Sequence, residues 1–208
     1  MTRGELLADC CIHVIGIAAG GVAVAILMAM ALPQGSALLT ASLMIYGCGL
    51  IVMLGCSAAY NIAGRSAAKE FLRRLDHAAI FVMIAGTYTP FVLLKIRGAW
   101  GMALLVFVWL GAAMGVVVKL LYPRRFERLS IAFYLLLGWS ALVAIKPVIS
   151  ALPPAAVTLL GAGGLFYSVG VVFHAWKALA YQNAIWHVFV LAGAGSHYAA
   201  VLGYVALA

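Results

Sequence analysis

The sequence predicts an all-α membrane protein that forms a bundle of seven transmembrane helices. Of its 208 residues, 67% are hydrophobic and 9% are charged, and the mean hydropathy is +1.15. This composition leaves too little polar surface to cover a soluble globule. A helix that crosses a bilayer needs about 20 apolar residues, and the chain contains seven stretches of that kind. They cover residues 10–32, 36–58, 76–94, 99–121, 129–150, 155–176 and 184–207.

The first predicted span, 10–32, shares some features with a signal peptide. Arg3 precedes it, and Ala29-Met30-Ala31 resembles a small-x-small cleavage site. Its apolar core exceeds the apolar region of about 7–15 residues that signal peptides have. We therefore expect the mature protein to keep this helix, and Pro33-Gln34-Gly35 to form the turn into the second span.

The later spans follow one another through short connections. These connections leave no room for a soluble domain, so residues 1–208 are expected to form a single domain. Pro153 and Pro154 mark the turn between spans five and six. Spans six and seven also contain glycines that we expect to permit close helix approach. These are Gly161, Gly163, Gly164, Gly193 and Gly195.

The distribution of basic residues predicts the orientation of the bundle. Lys95, Arg97 and Lys146 fall on one side of the membrane, and the other ten basic residues fall on the side of the N-terminus. The ten are Arg3, Arg65, Lys69, Arg73, Arg74, Lys119, Arg124, Arg125, Arg128 and Lys177. Because loops rich in Lys and Arg stay in the cytoplasm, the N-terminus is expected there. Seven crossings then leave Ala208 outside, opposite to the orientation of a G-protein-coupled receptor.

The net charge of +8 does not indicate a nucleic-acid-binding protein. The basic residues lie in short loops beside membrane helices, without a group of aromatic side chains on which bases could stack. Anionic head groups of membrane lipids are the expected partners instead. We expect an integral protein of a bacterial inner (plasma) membrane.

Polar residues converge on the cytoplasmic ends of spans two, three and seven. Ser57 and Asn61 are an i, i+4 pair, as are Asn183 and His187, so each pair shares one helix face. Asp76 begins span three. Ionisable residues at membrane depth are costly and indicate a functional site, here a polar cavity suited to a metal or to hydrolysis. Alternatively, these side chains cap helices and bridge neighbouring ones.

Three segments resemble those of a known family. They are CSAAYN (56–61), LDHAAIFVMIAGTYTP (75–90) and NAIWHVFVLAGAGSHY (183–198). On these segments the chain resembles the haemolysin III branch of the progestin and adipoQ receptor (PAQR) family, and weaker similarity extends over nearly the whole chain. The resemblance implies a seven-helix membrane fold with a buried zinc.

The resemblance also implies roles for individual residues. In the family, three histidines hold the zinc: one lies four residues after a Ser near the end of span two, and two form H-x-x-x-H at the start of span seven. Here Ser57 matches that serine, and the metal-ligand positions are Asn61, Asn183 and His187. Asp76 matches the acidic residue that orients the metal-bound water, so Ser57 and Asp76 are the expected catalytic residues.

Two of the three zinc-ligand positions are therefore Asn, whose amide oxygen is a weak neutral donor for zinc. Because Asn both donates and accepts hydrogen bonds, we interpret the site as a zinc site converted to a hydrogen-bond network around a water. In an alternative interpretation, His13, His77 or His174 completes a zinc site. The opening segment ELLADCCIH has Asp9 where the family usually has Asn.

Three functions are compatible with these features. We expect a membrane-homeostasis role, in which the protein senses or tunes bilayer composition and its cavity binds an acyl chain. The alternative is a zinc-dependent lipid amide hydrolase of the ceramidase type, so whether the protein is an enzyme stays open. The family name implies a cytolysin, but seven apolar spans describe a resident membrane protein rather than a soluble toxin that inserts.

Overall fold

All regular structure in the described part of the chain is helical. The computed structural model describes residues 2–64, 68–122 and 124–207, so Arg65 and Ala208, which entered the prediction of orientation, lie outside the described residues. The α-helices are α1 (Arg3–Ala31), α2 (Ala37–Ile62), α3 (Lys69–Leu94), α4 (Ala99–Leu121), α5 (Glu127–Gly138), α6 (Ile145–Ala151), α7 (Pro154–Ala175) and α8 (Gln182–Val201). A π-helical turn over Leu202–Ala206 extends α8.

Side-chain caps explain where the first two helices begin. The Thr2 hydroxyl accepts a hydrogen bond from the N–H of Glu5, and the Glu5 carboxylate accepts one from the N–H of Thr2. This capping box satisfies two of the backbone donors that a helix start leaves free. Ser36 caps α2 in a similar way, because its hydroxyl accepts from the N–H of Leu39.

Among the described residues, six helices are long and apolar enough to cross a membrane: α1, α2, α3, α4, α7 and α8. The all-α membrane class is therefore confirmed. The predicted fifth span, 129–150, is interrupted rather than continuous. Its first part is α5, a 3-10 turn follows over Ser140–Leu142, and its last part is the short helix α6.

A tyrosine of α3 supports the interruption of the fifth span. The Tyr88 hydroxyl lies 3.1 Å from the carbonyl oxygen of Leu137 and 2.7 Å from that of Gly138, and it accepts from the N–H of Ala141 at 3.1 Å. The Ser140 hydroxyl also donates to the Leu137 carbonyl at 2.7 Å. Gly138 lies at the break, and glycine is a weak helix former. The backbone groups that the break frees are hydrogen-bonded within the protein, as is required inside a bilayer.

Helix α2 packs against α1 and α3, α3 packs against α4, and α7 packs against α8; α1 also contacts α8. We call one end of the bundle the basic end: α1, α3, α5 and α8 begin there, and α2, α4 and α7 end there. At the basic end, an ion pair of 2.6 Å between Arg73 Nη1 and Glu127 Oε1 links α3 to α5. At the opposite end, Gln34 Nε2 donates to the Ala206 carbonyl oxygen at 2.8 Å.

Glycines let α7 approach its neighbours closely. A Cβ atom on Gly163 would lie 2.2 Å from His197 Cδ2, and one on Gly193 would lie 2.9 Å from a tyrosine ring. A Cβ atom on Gly164 would lie 3.0 Å from the ring of Trp139. A Cβ atom on the two remaining glycines would meet nothing within 4 Å. The expectation of close approach is therefore confirmed for Gly163, Gly164 and Gly193, and it is wrong for Gly161 and Gly195.

Candidate functional site

A cavity of about 1170 Å³ lies inside the bundle. Its wall changes from polar at the basic end to apolar farther along. The polar part includes Ser57, Asn61, Asp76, Lys119, Asn183 and His187, and the apolar part includes Met53, Ile96, Val148 and Leu160. Because ordinary ligand pockets measure about 300–1,000 Å³, this cavity has room for a ligand with a polar group and a long apolar part.

Asp9, on α1, is the centre of the polar network at the basic end. Its side chain is buried, with 1% of the residue exposed. Its Oδ1 atom lies 2.6 Å from His187 Nδ1, and its Oδ2 atom accepts from Asn183 Nδ2 at 2.9 Å. His13 is one turn farther along α1, with its Nε2 atom 3.6 Å from Asp9 Oδ2. A carboxylate at this depth is costly unless several donors face it, and α8 supplies two of them.

Two asparagines extend this network from α8 to α2. Asn183 Nδ2 also donates to Asn61 Oδ1 at 3.1 Å, and Asn61 Nδ2 donates to the Ser57 carbonyl oxygen at 2.9 Å. The orientation of the Asn183 amide follows from chemistry, because a carboxylate such as that of Asp9 only accepts hydrogen bonds. His187 Nε2 lies 3.5 Å from Ser57 Oγ, so the contacts form a closed ring.

The structure thus brings the five predicted site residues together: Ser57, Asn61, Asn183 and His187 belong to the ring, and the Asp76 carboxylate is hydrogen-bonded to the Ser57 side chain. Asp76 lines the same cavity, and its Oδ2 atom lies 3.7 Å from His77 Nδ1. The carboxylate that accepts from Asn183 and His187 is that of Asp9 and not that of Asp76. The catalytic roles of Ser57 and Asp76 remain predictions.

Asp9 is the residue that sequence reasoning missed. Asp9 was interpreted only as a variant residue of the family's opening motif, and the partners that a carboxylate there would need were not considered. A physical signal was present, because Asp9 and His13 are an i, i+4 pair inside an apolar helix and therefore share one face. Two ionisable side chains on one face of a membrane helix indicate a buried polar partner, which α8 provides.

At the family's zinc-ligand positions, the two asparagines are hydrogen-bonded to each other. Asn61 Oδ1, the atom that could face a metal, accepts a hydrogen bond from Asn183. Asn183 directs its amide nitrogen, which cannot bind a metal cation, toward both Asn61 and Asp9. Of the three positions, His187 alone offers a ligand that zinc prefers.

A different set of residues could hold a metal. Asp9, His13 and His187 are all buried, and one potential ligand atom from each lies within 4.8 Å of the others. A carboxylate and two imidazoles are a ligand set that suits zinc. His13 Nε2 is buried and has no hydrogen-bond partner within the ranges that the structure describes. Asp9, His13 and His187 are thus the residues that would bind zinc.

The two other histidines suggested by the sequence line the same cavity but lie outside this group. His77 Nδ1 forms a hydrogen bond of 2.8 Å with the Arg73 carbonyl oxygen. The ring of His174 lies 5.1 Å from the ring of Trp186, measured between centroids. Of the three candidates, His13 is therefore the one that joins His187.

Comparisons with known proteins identify relatives along most of the chain. The model of the family described as "Haemolysin-III related" matches residues 7–198. The chain is 38% identical over 203 residues to the hemolysin-3 homolog of Bacillus subtilis (strain 168), which covers 98% of this chain and 95% of that protein. It is 37% identical over 201 residues to hemolysin-3 of Bacillus cereus, with 97% and 92% covered. No solved structure matches it significantly.

A human protein is also similar. The monocyte to macrophage differentiation factor of Homo sapiens is 31% identical over 168 residues, which cover 77% of this chain and 68% of that protein. The family match includes every residue of the polar network, from Asp9 on α1 to His187 on α8. The chain therefore belongs to the haemolysin-III-related family, a branch of the PAQR proteins.

Proposed function

We propose that the protein binds a membrane lipid in its cavity and thereby senses or adjusts bilayer composition. The observation that carries this proposal is the lining of the cavity, which is polar at the basic end and apolar beyond it. A lipid has the same division into a polar group and apolar chains. Its acyl chain would lie along Val148 and Leu160, and its polar group would face Ser57 and the ring of contacts around Asp9.

The proposal includes seven membrane crossings. The segment Glu127 to Ala151 combines α5, the 3-10 turn and α6, and it exceeds the length of about 20 residues that a crossing needs. Broken helices occur at membrane depth where the protein covers the freed backbone groups, and Tyr88 provides such cover here. With the basic end in the cytoplasm, the C-terminus would be outside, and a bacterial inner membrane would be the location.

Filling the cavity tests lipid binding directly. Gly161 lines the cavity, and a Cβ atom placed on it would meet nothing within 4 Å. The variant Gly161→Phe should therefore place its ring in the cavity and exclude the acyl chain. Lipid that remains bound after purification in mild detergent is measured by native mass spectrometry. We expect bound lipid on the unmodified protein and its loss from the variant.

Gly195→Phe is the matched control, since Gly195 is a helical glycine with open space beyond it and is exposed. The control should retain the lipid. Equal retention by both variants, or an unmodified protein without bound lipid, would contradict the proposal.

A second candidate function is zinc-dependent hydrolysis of a lipid amide, and the observation that favours it is the group formed by Asp9, His13 and His187. Zinc bound there would polarise a carbonyl and lower the pKa of a water. Ser57 and Asp76 face the same cavity and could orient the substrate and accept a proton.

Metal content tests this second function. Plasma mass spectrometry of protein purified without added zinc should show about one zinc per chain, and Asp9→Asn and His13→Gln should each lose it. A ceramide would then be the first substrate to assay. Zinc that binds only to the double variant Asn61→His, Asn183→His would contradict the hydrolase and leave lipid binding as the function.

A further inference from the structure

Lys119, in the last turn of α4, is a buried basic residue in the wall of the cavity. Only 1% of the residue is exposed. Its Nζ atom is buried and has no hydrogen-bond partner among residues 2–64, 68–122 and 124–207. The polar network around Asp9 lies on α1, α2 and α8, so Lys119 adds a basic group on another helix.

The other basic residues of the cavity wall have partners or face solvent. Lys69 Nζ donates to two backbone carbonyl oxygens at 2.7 Å each. Arg73 and Arg124 form ion pairs with Glu70 at 3.1 Å and 3.0 Å. Lys177 is exposed. The α4 side of the cavity therefore differs from the rest of the basic end, because the described residues offer the buried Lys119 Nζ atom no hydrogen-bond partner.

An ammonium group buried without a partner destabilises a protein, and an apolar residue of similar volume is often more stable at such a position. Packing alone therefore does not account for Lys119. A negatively charged oxygen in the cavity would complete a charge-assisted hydrogen bond with its Nζ atom. His174 Nδ1, in the same wall, is another buried atom without a partner among the described residues.

We infer that Lys119 binds the acidic group of the lipid, so that the cavity selects acyl chains that end in a carboxylate or a phosphate over uncharged lipids. This inference rests on the proposed lipid-binding function and names the class of lipid. The acidic group would lie at the basic end, beside α4, and the acyl chain would extend toward the apolar wall around Leu160.

A fluorescent fatty acid provides the test. Trp139 and Trp186 line the cavity, so energy transfer from tryptophan to cis-parinaric acid reports occupancy of full-length protein in an uncharged detergent. The methyl ester of the same probe keeps the chain and removes the charge. We expect the acid to bind on the order of tenfold more tightly than the ester, the factor typical of a hydrogen bond to a charged group.

Lys119→Met should remove this preference by weakening the acid and leaving the ester unchanged. Lys119→Arg, which keeps the charge, should retain most of the preference. The matched control is Lys146→Met, because Lys146 is exposed and lies outside the cavity wall; it should behave like the unmodified protein. The thermal stability of Lys119→Met should equal or exceed that of the unmodified protein, which separates a loss of selectivity from a loss of folding.

The outcomes distinguish this inference from the function on which it rests. Equal binding of acid and ester by the unmodified protein, or a preference that survives in Lys119→Met, would overturn the inference and leave lipid binding intact. Failure of both probes to bind would overturn both.

Unlabelled competitors identify the source of the acidic group. Oleate carries a carboxylate, lysophosphatidylglycerol carries a phosphate, and monoolein carries neither. Displacement of the probe by oleate alone would assign the site to a fatty acid, and displacement by lysophosphatidylglycerol would assign it to a phospholipid. Monoolein that displaces the probe as well as either acidic lipid would contradict the inference.

Discussion

Asp9 Oδ1 lies 2.6 Å from His187 Nδ1, a contact that joins the first helix of the bundle to the last. Because the carboxylate accepts, the proton of a neutral His187 ring is on Nδ1. Its Nε2 atom then faces Ser57 Oγ, 3.5 Å away. The Asp9 carboxylate on α1 therefore determines which imidazole nitrogen of His187 points into the cavity.

Replacement of this carboxylate should weaken the whole fold. The variant Asp9→Asn places an amide against two donors, His187 Nδ1 and Asn183 Nδ2, and can accept with only one oxygen. We expect the free energy of unfolding to fall by about 1–3 kcal/mol, the cost of leaving a buried donor unsatisfied. The measurement is unfolding in mixed micelles by titration with sodium dodecyl sulfate.

Glu127→Gln is the control for that experiment. Glu127 also pairs with a cation, Arg73, but 55% of its side chain is exposed. An exposed ion pair contributes about 0–1 kcal/mol, so this variant should unfold close to the unmodified protein. Equal effects of the two variants would show that the network around Asp9 does not stabilise the bundle.

Removal of the Tyr88 hydroxyl should destabilise the interrupted span. Tyr88→Phe leaves the carbonyl oxygen of Gly138 and the N–H of Ala141 without the partner that the break requires. The expected loss is about 1–3 kcal/mol of unfolding free energy. Hydrogen exchange measured by mass spectrometry should rise first in peptides from α5 and α6. Tyr122→Phe removes an exposed hydroxyl and should change neither quantity.

Addition of one methyl group should separate α7 from α8. In Gly163→Ala the new Cβ would lie 2.2 Å from His197 Cδ2, so the imidazole must move and lose its hydrogen bond of 3.1 Å to the Leu160 carbonyl. We expect about 1–3 kcal/mol of destabilisation, as overpacking usually costs. Gly161→Ala, two residues away and facing open space, should be neutral or stabilising because alanine favours helix. Comparable losses in both variants would mean that the helices do not approach as described.

Reporter fusions decide whether the interrupted segment crosses the membrane. Seven crossings place the two termini on opposite sides, whereas six crossings place them on the same side. We expect green fluorescent protein to fluoresce at the N-terminus and alkaline phosphatase to be active at the C-terminus, since basic loops stay in the cytoplasm. An inactive phosphatase whose fusion is expressed at the normal level would indicate that α5 and α6 return to the cytoplasmic face.

Hydropathy was sufficient to predict the long helices but not the break between α5 and α6. Residues 129–150 are apolar enough to predict one span, although Gly138 and Pro147 within the segment are weak helix formers. The break depends on Tyr88, which precedes the segment by about forty residues and belongs to another helix. A tertiary contact of this kind does not appear in local sequence periodicity.

For the candidate site, the sequence was sufficient to predict which residues share a helix face, but not which helices meet. The i, i+4 spacing of Ser57 with Asn61 and of Asn183 with His187 depends only on helix geometry, and both members of each pair lie in the ring of contacts around Asp9. Which carboxylate meets them depends on how the helices are arranged around the cavity. That arrangement brings Asp9 into contact, and it also turns Lys119, which the sequence suggested only as a loop-side charge, into the cavity wall.

The contact between Asp9 and α8 also has a consequence for biogenesis. Ribosomes release α1 first, and its carboxylate enters the membrane before Asn183 and His187 have been synthesised. Because a buried carboxylate is costly without its donors, and α8 supplies two of the donors to Asp9, we expect α1 to reach its final position only after the last helix inserts. We therefore expect the bundle to be completed in one late step, and a nascent chain that stops before α8 to be a target of membrane quality control.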